Sequence, residues 1–183
     1  MSKVPNHHGL LIVICGPAGV GKSTISNRLK ELLGVWYTVS VTTRPKLPGD
    51  EKAKTYEHIS KQEFFRRLDN DEYLEYAQVY GDYYATPKHP ALDYLAQSRD
   101  VLLEIDFQGA MQVRYHYPDA LLIFILPPDE PTLLKRLVDR GRDSPEDINK
   151  RFRAAKREIA NRRPPPPRKP EIPVPMRHKT SSR

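Results

Sequence analysis

A glycine-rich stretch at residues 16–23, with the sequence Gly-Pro-Ala-Gly-Val-Gly-Lys-Ser, restricts the possible folds of this chain more than any other feature. The residues just before it, 10–15, are apolar and partly β-branched, which predicts a buried strand. A helix is predicted after it, because apolar side chains recur at helical spacing on one face: Ile25, Leu29, Leu32 and Leu33. A strand, a turn and a helix in this order match the Gly-x-x-x-x-Gly-Lys-Ser/Thr pattern of phosphate-binding loops.

Such a loop attracts anions because its backbone N–H groups and those of the helix N-terminus point at one spot, where the helix dipole adds positive charge. In this pattern Lys22 reaches the β- and γ-phosphates, and the hydroxyl of Ser23 binds Mg²⁺. The stretch therefore predicts a nucleoside triphosphate site. Its candidate residues are Gly16, Pro17, Ala18, Gly19, Val20, Gly21, Lys22, Ser23 and Thr24.

Length, cysteine content and charge limit the class of protein. The 183 residues suit one domain, and the single cysteine, Cys15, is typical of a cytosolic protein, so we expect a cytoplasmic location. No apolar run approaches the length of a membrane span. The net charge of +7 is concentrated after residue 160, where seven basic residues accompany the single acid Glu171. Nucleic-acid binding is therefore not expected of the folded part, and nucleic acid is a candidate partner of the tail alone.

Strands and helices are predicted to alternate through the first 160 residues. Further strands are predicted at 35–41, 101–106 and 121–126, and helices at 91–97, 108–115 and 132–139. A last helix begins at Ser144-Pro145, which supply an N-cap and a proline at the first helical position. The alternation predicts an α/β fold with a parallel sheet covered by helices on both faces. Four consecutive prolines after residue 163 predict a disordered, Pro/Arg-rich tail over 161–183, so the domain spans 1–160.

Residues 42–87 form a compact, tyrosine-rich insertion in this alternation. Proline and glycine content predicts a loop at 42–50, and a capping-box pattern at Ser60 predicts a short helix. Residues 73–80 are predicted to be extended and to lead into a turn at Gly81-Asp82. The insertion carries hydrogen-bonding side chains that suit a polar acceptor: Arg44, Tyr56, Glu75, Tyr84 and Thr86.

Two carboxylates and several arginines are further candidates. Glu104 and Asp106 alternate at the end of a predicted buried strand, where open α/β sheets bind ligands, and one of them would hold Mg²⁺ through water. Phosphoryl transfer requires positive charge around the moving group. The candidates, in a predicted lid over about residues 132–151, are Arg136, Arg140, Arg142 and Arg151. A solvated helix surface is the alternative explanation of these arginines.

In these motifs the chain resembles guanylate kinase, a P-loop nucleoside monophosphate kinase, over about residues 9–160. The matching stretches are Gly-Pro-Ala-Gly-Val-Gly-Lys-Ser-Thr at 16–24, Ser-Val-Thr-Thr-Arg at 40–44, Tyr-Leu-Glu-Tyr-Ala at 73–77, Tyr-Tyr-Ala-Thr-Pro at 83–87, Leu-Leu-Glu-Ile-Asp-Phe-Gln-Gly at 102–109, Ile-Phe-Ile-Leu-Pro-Pro at 123–128 and Arg-Leu-Val-Asp-Arg-Gly at 136–141. The resemblance implies Mg²⁺-dependent phosphate transfer from ATP to GMP. It also implies that the insertion binds GMP beside a helical lid.

The resemblance implies roles for individual residues. The implied ligands of the GMP phosphate are Arg44, Tyr56 and Tyr84. The guanine edge would be recognised by Ser40, Glu75, Thr86 and Asp106. Carboxylates suit guanine because its N1–H and 2-amino groups are donors, which adenine does not present. The implied catalytic residues are Lys22, Arg136, Arg140 and Arg151, and the implied metal ligands are Ser23 and Glu104.

Two departures from the family pattern lead to further expectations. Leu47 replaces a second phosphate-binding arginine and has only Lys46 beside it, so we expect weaker GMP binding. The family continues into a last strand and helix where this chain has its Pro/Arg-rich tail, so we expect an incomplete sheet edge and adenine pocket. A guanylate-kinase-like module that binds phosphopeptides and an inactive truncated remnant are alternatives to the enzyme. A monomer and a homodimer are both compatible with the sequence.

Overall fold

A computed structural model describes residues 9–47, 50, 55–141 and 143–162 of the chain. Within them the strands are β1 (Leu11–Cys15), β2 (Trp36–Tyr37), β3 (Ser40–Thr42), β4 (Tyr56–His58), β5 (Tyr73–Val79), β6 (Asp82–Pro87), β7 (Val101–Glu104) and β8 (Leu121–Phe124). The helices are α1 (Lys22–Leu33), α2 (Lys61–Asp69), α3 (Lys88–Ala96), α4 (Phe107–His116), α5 (Glu130–Asp139) and α6 (Pro145–Ala160).

A parallel sheet of order β2-β7-β1-β8 forms the centre of the fold. Every residue of β1 is buried, as expected of a strand between two helical layers. Helices α3 and α4 cover one face of the sheet through Ala91 and Ala110, and α1 covers the other through Leu29. The predicted α/β fold, with helices on both faces of a parallel sheet, is therefore confirmed.

The chain changes sheets between Thr38 and Ser40, so the prediction of one strand over 35–41 is wrong. The N–H of Thr38 still donates to the carbonyl of Leu102 in β7 (3.2 Å), whereas the N–H of Ser40 donates to the carbonyl of Thr55 (3.2 Å). From Ser40 onwards the chain belongs to a second sheet of order β4-β3-β6-β5. In that sheet β5 and β6 form an antiparallel hairpin.

Other predicted elements are present with shifted ends. The strands predicted to end at residues 106 and 126 end at Glu104 and Phe124. Each is followed by one more ladder bond to β1, from Ile105 and Ile125, before the chain turns away. The helix predicted from residue 132 begins at Glu130, because the side chain of Asp129 accepts the N–H of Thr132 (2.6 Å) and caps the helix two residues earlier.

Part of the apolar surface of α1 is exposed among the described residues. Leu32 and Leu33 are each 62% exposed, although their spacing predicts one apolar face with Leu29. Within the described sheet β8 is an edge strand, and its Leu121 is 47% exposed. The tail predicted over 161–183 and the expected changes at the sheet edge lie outside the described residues, apart from residues 161 and 162. Among the described helices, none has the length and apolar character needed to cross a membrane.

Candidate active site

The carboxyl ends of β1 and β7 open into a groove of about 820 Å³ between the two sheets. Ligands of open α/β sheets bind at this edge. Most of the predicted site residues line the groove: Gly16, Ala18, Gly19, Gly21, Lys22, Ser23, Thr24, Ser40, Arg44, Tyr56, Glu75, Tyr84, Glu104, Asp106, Arg140 and Arg151. Others lie outside its lining, namely Pro17, Val20, Thr86 and Arg136. A second cavity of about 490 Å³ lies beside the glycine-rich loop and includes Val20 and Arg136.

The glycine-rich loop has a backbone that only glycine adopts readily. Gly16, Gly19 and Gly21 all have positive φ. A Cβ at Gly16 would also lie 2.6 Å from the carbonyl oxygen of Ile125, so the loop packs directly against the chain that leaves β8. The sequence pattern therefore corresponds to a tight turn that leads directly into α1.

Lys22 lies at the first position of α1 and is held by the loop itself. Its Nζ donates to the carbonyl oxygens of Gly16 (2.6 Å) and Pro17 (3.0 Å). Burial lowers the pKa of Lys22, and the charges of nearby carboxylates oppose that shift: Glu104, Glu158 and Asp106. Two of the three ammonium protons are donated to the loop, which leaves the third for an anion in the groove.

Ser23 and Glu104 lie side by side beneath the loop. The Ser23 hydroxyl donates to Glu104 Oε1 (2.6 Å), and the Tyr37 hydroxyl donates to Glu104 Oε2 (3.1 Å). A hydroxyl and a carboxylate next to a phosphate-binding loop fit Mg²⁺, which takes few protein ligands and completes its shell with phosphates and water. Within the described ranges, no group of three or more His, Cys, Asp or Glu residues could hold a metal.

Glu75 is a buried carboxylate at the other end of the groove. It is 4% exposed, and its Oε1 accepts the hydroxyl of Thr86 (2.6 Å). Burial raises the pKa of Glu75 to about 8, against the opposing effect of the Thr86 hydrogen bond. Thr86 itself is fully buried behind Glu75, so it contacts the carboxylate and not the groove.

Asp106 and Gly109 determine where this carboxylate lies. Asp106 caps α4, its Oδ1 accepting the N–H of Gly109 (2.8 Å), and burial raises the pKa of Asp106. A Cβ at Gly109 would lie 2.0 Å from Glu75 Oε2, so only glycine lets β5 bring Glu75 this close to α4. Two buried carboxylates that face one groove favour a ligand with N–H donors.

Arg44 follows β3 and lies among aromatic hydroxyl groups. Its guanidinium lies 5.9 Å from the centre of the Tyr56 ring, and Tyr56 packs edge-on against Tyr84 (5.8 Å). Arg44 Nη2 donates to Asp50 Oδ2 (2.9 Å). The exposed side chain of Leu47 lines the same part of the groove. One cation and two phenols therefore surround a space suited to an anionic group.

Three of the four predicted arginines lie at the loop or the groove. On α5, Arg136 donates to the carbonyl of Val20 (3.0 Å), while Arg140 lines both cavities. On α6, Arg151 pairs with Asp143 (3.2 Å) and lies 4.6 Å from the centre of the Tyr80 ring. Arg142 lies outside the described residues. Arg136 and Arg140 are exposed and Arg151 is half-buried, so a lid role for the three stays a prediction.

Four residues of the site were missed from the sequence. Asp50 and Tyr37 offered no signal, because neither belongs to a recognisable pattern. Gly109 stands inside a predicted helix, and an isolated glycine there indicates a close contact. Glu158 lies seven residues after Arg151, and therefore on the same face of α6. Its Oε2 is buried without a hydrogen-bond partner, and burial raises the pKa of Glu158 to about 7.

Comparisons with known proteins agree with this geometry. A family model described as guanylate kinase matches residues 8–162. The guanylate kinase of Clostridium tetani is 44% identical over 151 residues, which cover 82% of this chain and 73% of that protein. The guanylate kinase of Carboxydothermus hydrogenoformans is 46% identical over 156 residues, or 85% of this chain and 76% of that protein. The crystal structure of guanylate kinase from Anaplasma phagocytophilum matches with a TM-score of 0.69 and 30% identity, covering 84% of this chain and 72% of that one.

Proposed function

This chain belongs to the guanylate kinase family, and we propose that it transfers the γ-phosphate of ATP to GMP, giving ADP and GDP, at the groove described above. The observation that carries the proposal is that the loop with Lys22 and the buried carboxylate of Glu75 open into one groove. One end offers groups that bind phosphates, and the other offers acceptors for the N–H donors of guanine. Two nucleotides bound in this way would meet through their phosphates.

We assign ATP to the glycine-rich loop at residues 16–24. Its phosphates would accept the N–H groups of the loop and of the first turn of α1. Lys22 would exchange its bonds to the carbonyls of Gly16 and Pro17 for bonds to the β- and γ-phosphate oxygens. The adenosine would extend towards the neighbouring cavity, which Thr24 and Ile25 line.

We assign Mg²⁺ to Ser23 and Glu104. Bound there, the ion supplies positive charge to the phosphate oxygens. Ser23 would ligate through its hydroxyl oxygen, and Glu104 would bind directly or through water. Tyr37 donates to one carboxylate oxygen of Glu104, which keeps the other directed at Ser23.

We assign the guanine base to Glu75, Asp106 and Ser40, with Thr86 as the residue that orients Glu75. Burial raises the pKa of Glu75 to about 8, so its carboxyl would release a proton to solvent as guanine binds, and the carboxylate would then accept the N1–H and 2-amino groups. Because adenine lacks these donors on the same edge, it would leave a buried carboxylate unpaired, which costs about 1–3 kcal/mol or more for a charged group. Recognition by a buried acceptor therefore discriminates between GMP and AMP.

We assign the GMP phosphate to Arg44, Tyr56 and Tyr84. In the transfer an oxygen of this phosphate attacks the γ-phosphorus of ATP, the bond from that phosphorus to the β–γ bridging oxygen breaks, and ADP leaves. The protein contributes position and positive charge, because the transition state is loose and carries its charge on the transferred oxygens. Lys22 and the arginines of α5 and α6 would supply that charge: Arg136, Arg140 and Arg151.

The same assignment gives each part of the chain a role. Residues 42–87 are proposed as the GMP-binding insertion, about 132–151 as the lid, and 1–160 as the kinase domain, with 161–183 as a separate tail. The second sheet supports the first of these, because it carries Glu75 and Tyr84, and Arg44 follows its strand β3. A cytoplasmic location is proposed, since the single cysteine suits a reducing compartment.

A coupled assay of ADP release tests the proposal. The full chain is incubated with ATP and Mg²⁺ and with GMP, AMP or UMP. We expect turnover with GMP, little with AMP or UMP, and none with EDTA present. A folded sample without turnover on GMP would refute the activity, and efficient turnover on AMP would refute the role of Glu75.

A matched pair of lysine variants tests the donor site. Lys22→Ala should lower kcat about 100- to 1,000-fold, the usual effect of removing one positioned group that stabilises developing charge. Lys61→Ala is the control, because Lys61 is an exposed residue at the start of α2. Equal activity of the two variants would contradict the assignment of the loop.

A further inference from the structure

One carboxylate oxygen beside Arg44 in the groove is surrounded by donors from three residues. Asp50 Oδ2 accepts Arg44 Nη2 (2.9 Å) and the backbone N–H of Leu47 (2.8 Å), and it lies 3.5 Å from His58 Nε2. A guanidinium, an amide and an imidazole converging on one oxygen form an anion-binding site. Asp50 occupies that site from within the chain.

The orientation of His58 places its second ring nitrogen against the same carboxylate. Its Nδ1 lies 2.8 Å from the carbonyl oxygen of Arg44, which can only accept, so Nδ1 carries a proton. Its Nε2 is buried without a hydrogen-bond partner and faces the Asp50 carboxylate. A lone pair on Nε2 would be directed at a negative oxygen, whereas an N–H there would be attracted to it. The His58 ring therefore lies between the Arg44 carbonyl and the Asp50 carboxylate, with one nitrogen towards each.

We propose that the acceptor phosphate displaces the Asp50 carboxylate from this site, and that His58 is then the second cation of the phosphate site beside Arg44. The inference rests on the proposed function, in which Arg44 binds the GMP phosphate. An oxygen placed where Asp50 Oδ2 lies would keep the donors from Arg44 and from the Leu47 backbone. That backbone donor does not depend on the Leu47 side chain, which supplies no charge.

Access and surrounding charge agree with such an exchange. Asp50, Arg44 and Leu47 line the groove, and His58 lies behind Asp50 with its side chain 10% exposed. Among the described residues, the titratable or charged groups facing His58 are Arg44, Asp50 and Tyr56, whose ring lies 6.3 Å away. The charged residue next to His58 on β4, Glu57, forms an ion pair with Arg67 (2.8 Å).

The pH dependence of GMP binding tests the role of His58. The dissociation constant of GMP is measured by calorimetry at pH 6.0 and pH 8.5 for the wild-type chain, His58→Gln and the control His89→Gln, an exposed position on α3. Ionisation of GMP and of Glu75 affects all three proteins alike and cancels in the comparison. We expect His58→Gln to weaken binding about tenfold at pH 6.0 and far less at pH 8.5, as for loss of a charge-assisted bond. Identical pH profiles of His58→Gln and wild type would overturn the proposal.

Asp50 provides the test of displacement. Asp50→Asn should tighten GMP binding about threefold or more, because a neutral amide competes less well for the site than a carboxylate. Weaker binding by this variant would mean that Asp50 positions Arg44 and is not displaced. ATP affinity should be unchanged in both the Asp50 and the His58 variants.

Two further measurements separate this inference from the proposed function. Arg44→Ala should abolish GMP binding; if it binds GMP normally, the acceptor site itself is misassigned. If Arg44→Ala fails to bind and the His58 variant behaves as wild type, only the inference is refuted. Should His58→Gln not fold, NMR of the wild-type chain gives the answer. The His58 ring protons should shift on addition of GMP and not of ATP, and an unchanged His58 signal would overturn the proposal.

Discussion

Because Gly109 lies against Glu75, Gly109→Ala should destabilise the protein when Glu75 is present and stabilise it when the Glu75 carboxylate is removed. In Gly109→Ala the new Cβ would lie 2.0 Å from Glu75 Oε2. That is roughly 1.5 Å less than an ordinary contact distance. Either Glu75 or α4 must move by more than an ångström, which separates the carboxylate from Thr86 and from the position proposed for guanine.

The change in the free energy of unfolding follows from two destabilising effects and one stabilising effect. Overpacking of this kind costs about 1–3 kcal/mol. Loss of the buried Thr86–Glu75 hydrogen bond costs about 1–3 kcal/mol. Alanine in place of glycine within a helix stabilises the helix by about 0.5–1 kcal/mol. We therefore expect Gly109→Ala to lower the free energy of unfolding by about 1–5.5 kcal/mol. Since a misplacement of 1 Å can cost about 100-fold in rate, kcat/KM for GMP should fall by about that factor.

A double-mutant cycle with Glu75→Ala isolates the clash. With the Glu75 carboxylate removed, Gly109→Ala meets no carboxylate oxygen, and only the helix term remains, so the substitution should raise stability by up to about 1 kcal/mol. Urea unfolding of the four proteins measures the cycle, and the coupled assay measures KM for GMP. An equal loss of stability in both backgrounds, or normal GMP kinetics in the single variant, would refute the close approach of Glu75 to α4.

The remaining predictions concern pH, affinity and helix capping. Burial raises the pKa of Glu75 to about 8 from an ordinary value near 4.5, so the folded state binds the extra proton between these pH values. The free energy of unfolding of the wild type should therefore fall by on the order of 3–5 kcal/mol, relative to that of Glu75→Gln, as the pH rises from 4.5 to above 8. Urea titrations at several pH values measure this difference. If the two proteins lose stability with pH in parallel, the prediction is contradicted. Leu47→Arg should lower KM for GMP about tenfold with no change in KM for ATP, since it adds a bidentate cation; an unchanged KM for GMP would show that the site does not lack one. Ser144 caps α6 by accepting the N–H of Asp147 (3.1 Å) and donating to its carboxylate (2.7 Å), so Ser144→Ala should cost about 1 kcal/mol, whereas Ser144→Thr, which keeps the hydroxyl, should retain most of the stability, as thermal melting can check.

Much of the fold could be predicted because its signals are local. The glycine-rich loop, the buried strands and the capped helix after Ser144 are each specified by residues close together in the chain. The strand predicted over 35–41 failed for the opposite reason. Thr38 and Ser40 bond to Leu102 and Thr55, and nothing in the local pattern records which partner each residue meets. The periodicity also placed Leu32 and Leu33 on the apolar face of α1, although both are largely exposed.

The sequence by itself determined the phosphate-binding loop, the α/β architecture and the chemical types of the site residues, because spacing and residue type encode these directly. The tertiary structure alone decided how those residues act together. It brought Glu75 against Gly109. It also placed Asp50 between Arg44 and His58, and Glu158 close enough to Lys22 for their charges to interact. These contacts join residues from separate strands, helices and loops. Their geometry depends on how the two sheets and α6 pack around the groove, which is a property of the folded chain and not of any segment.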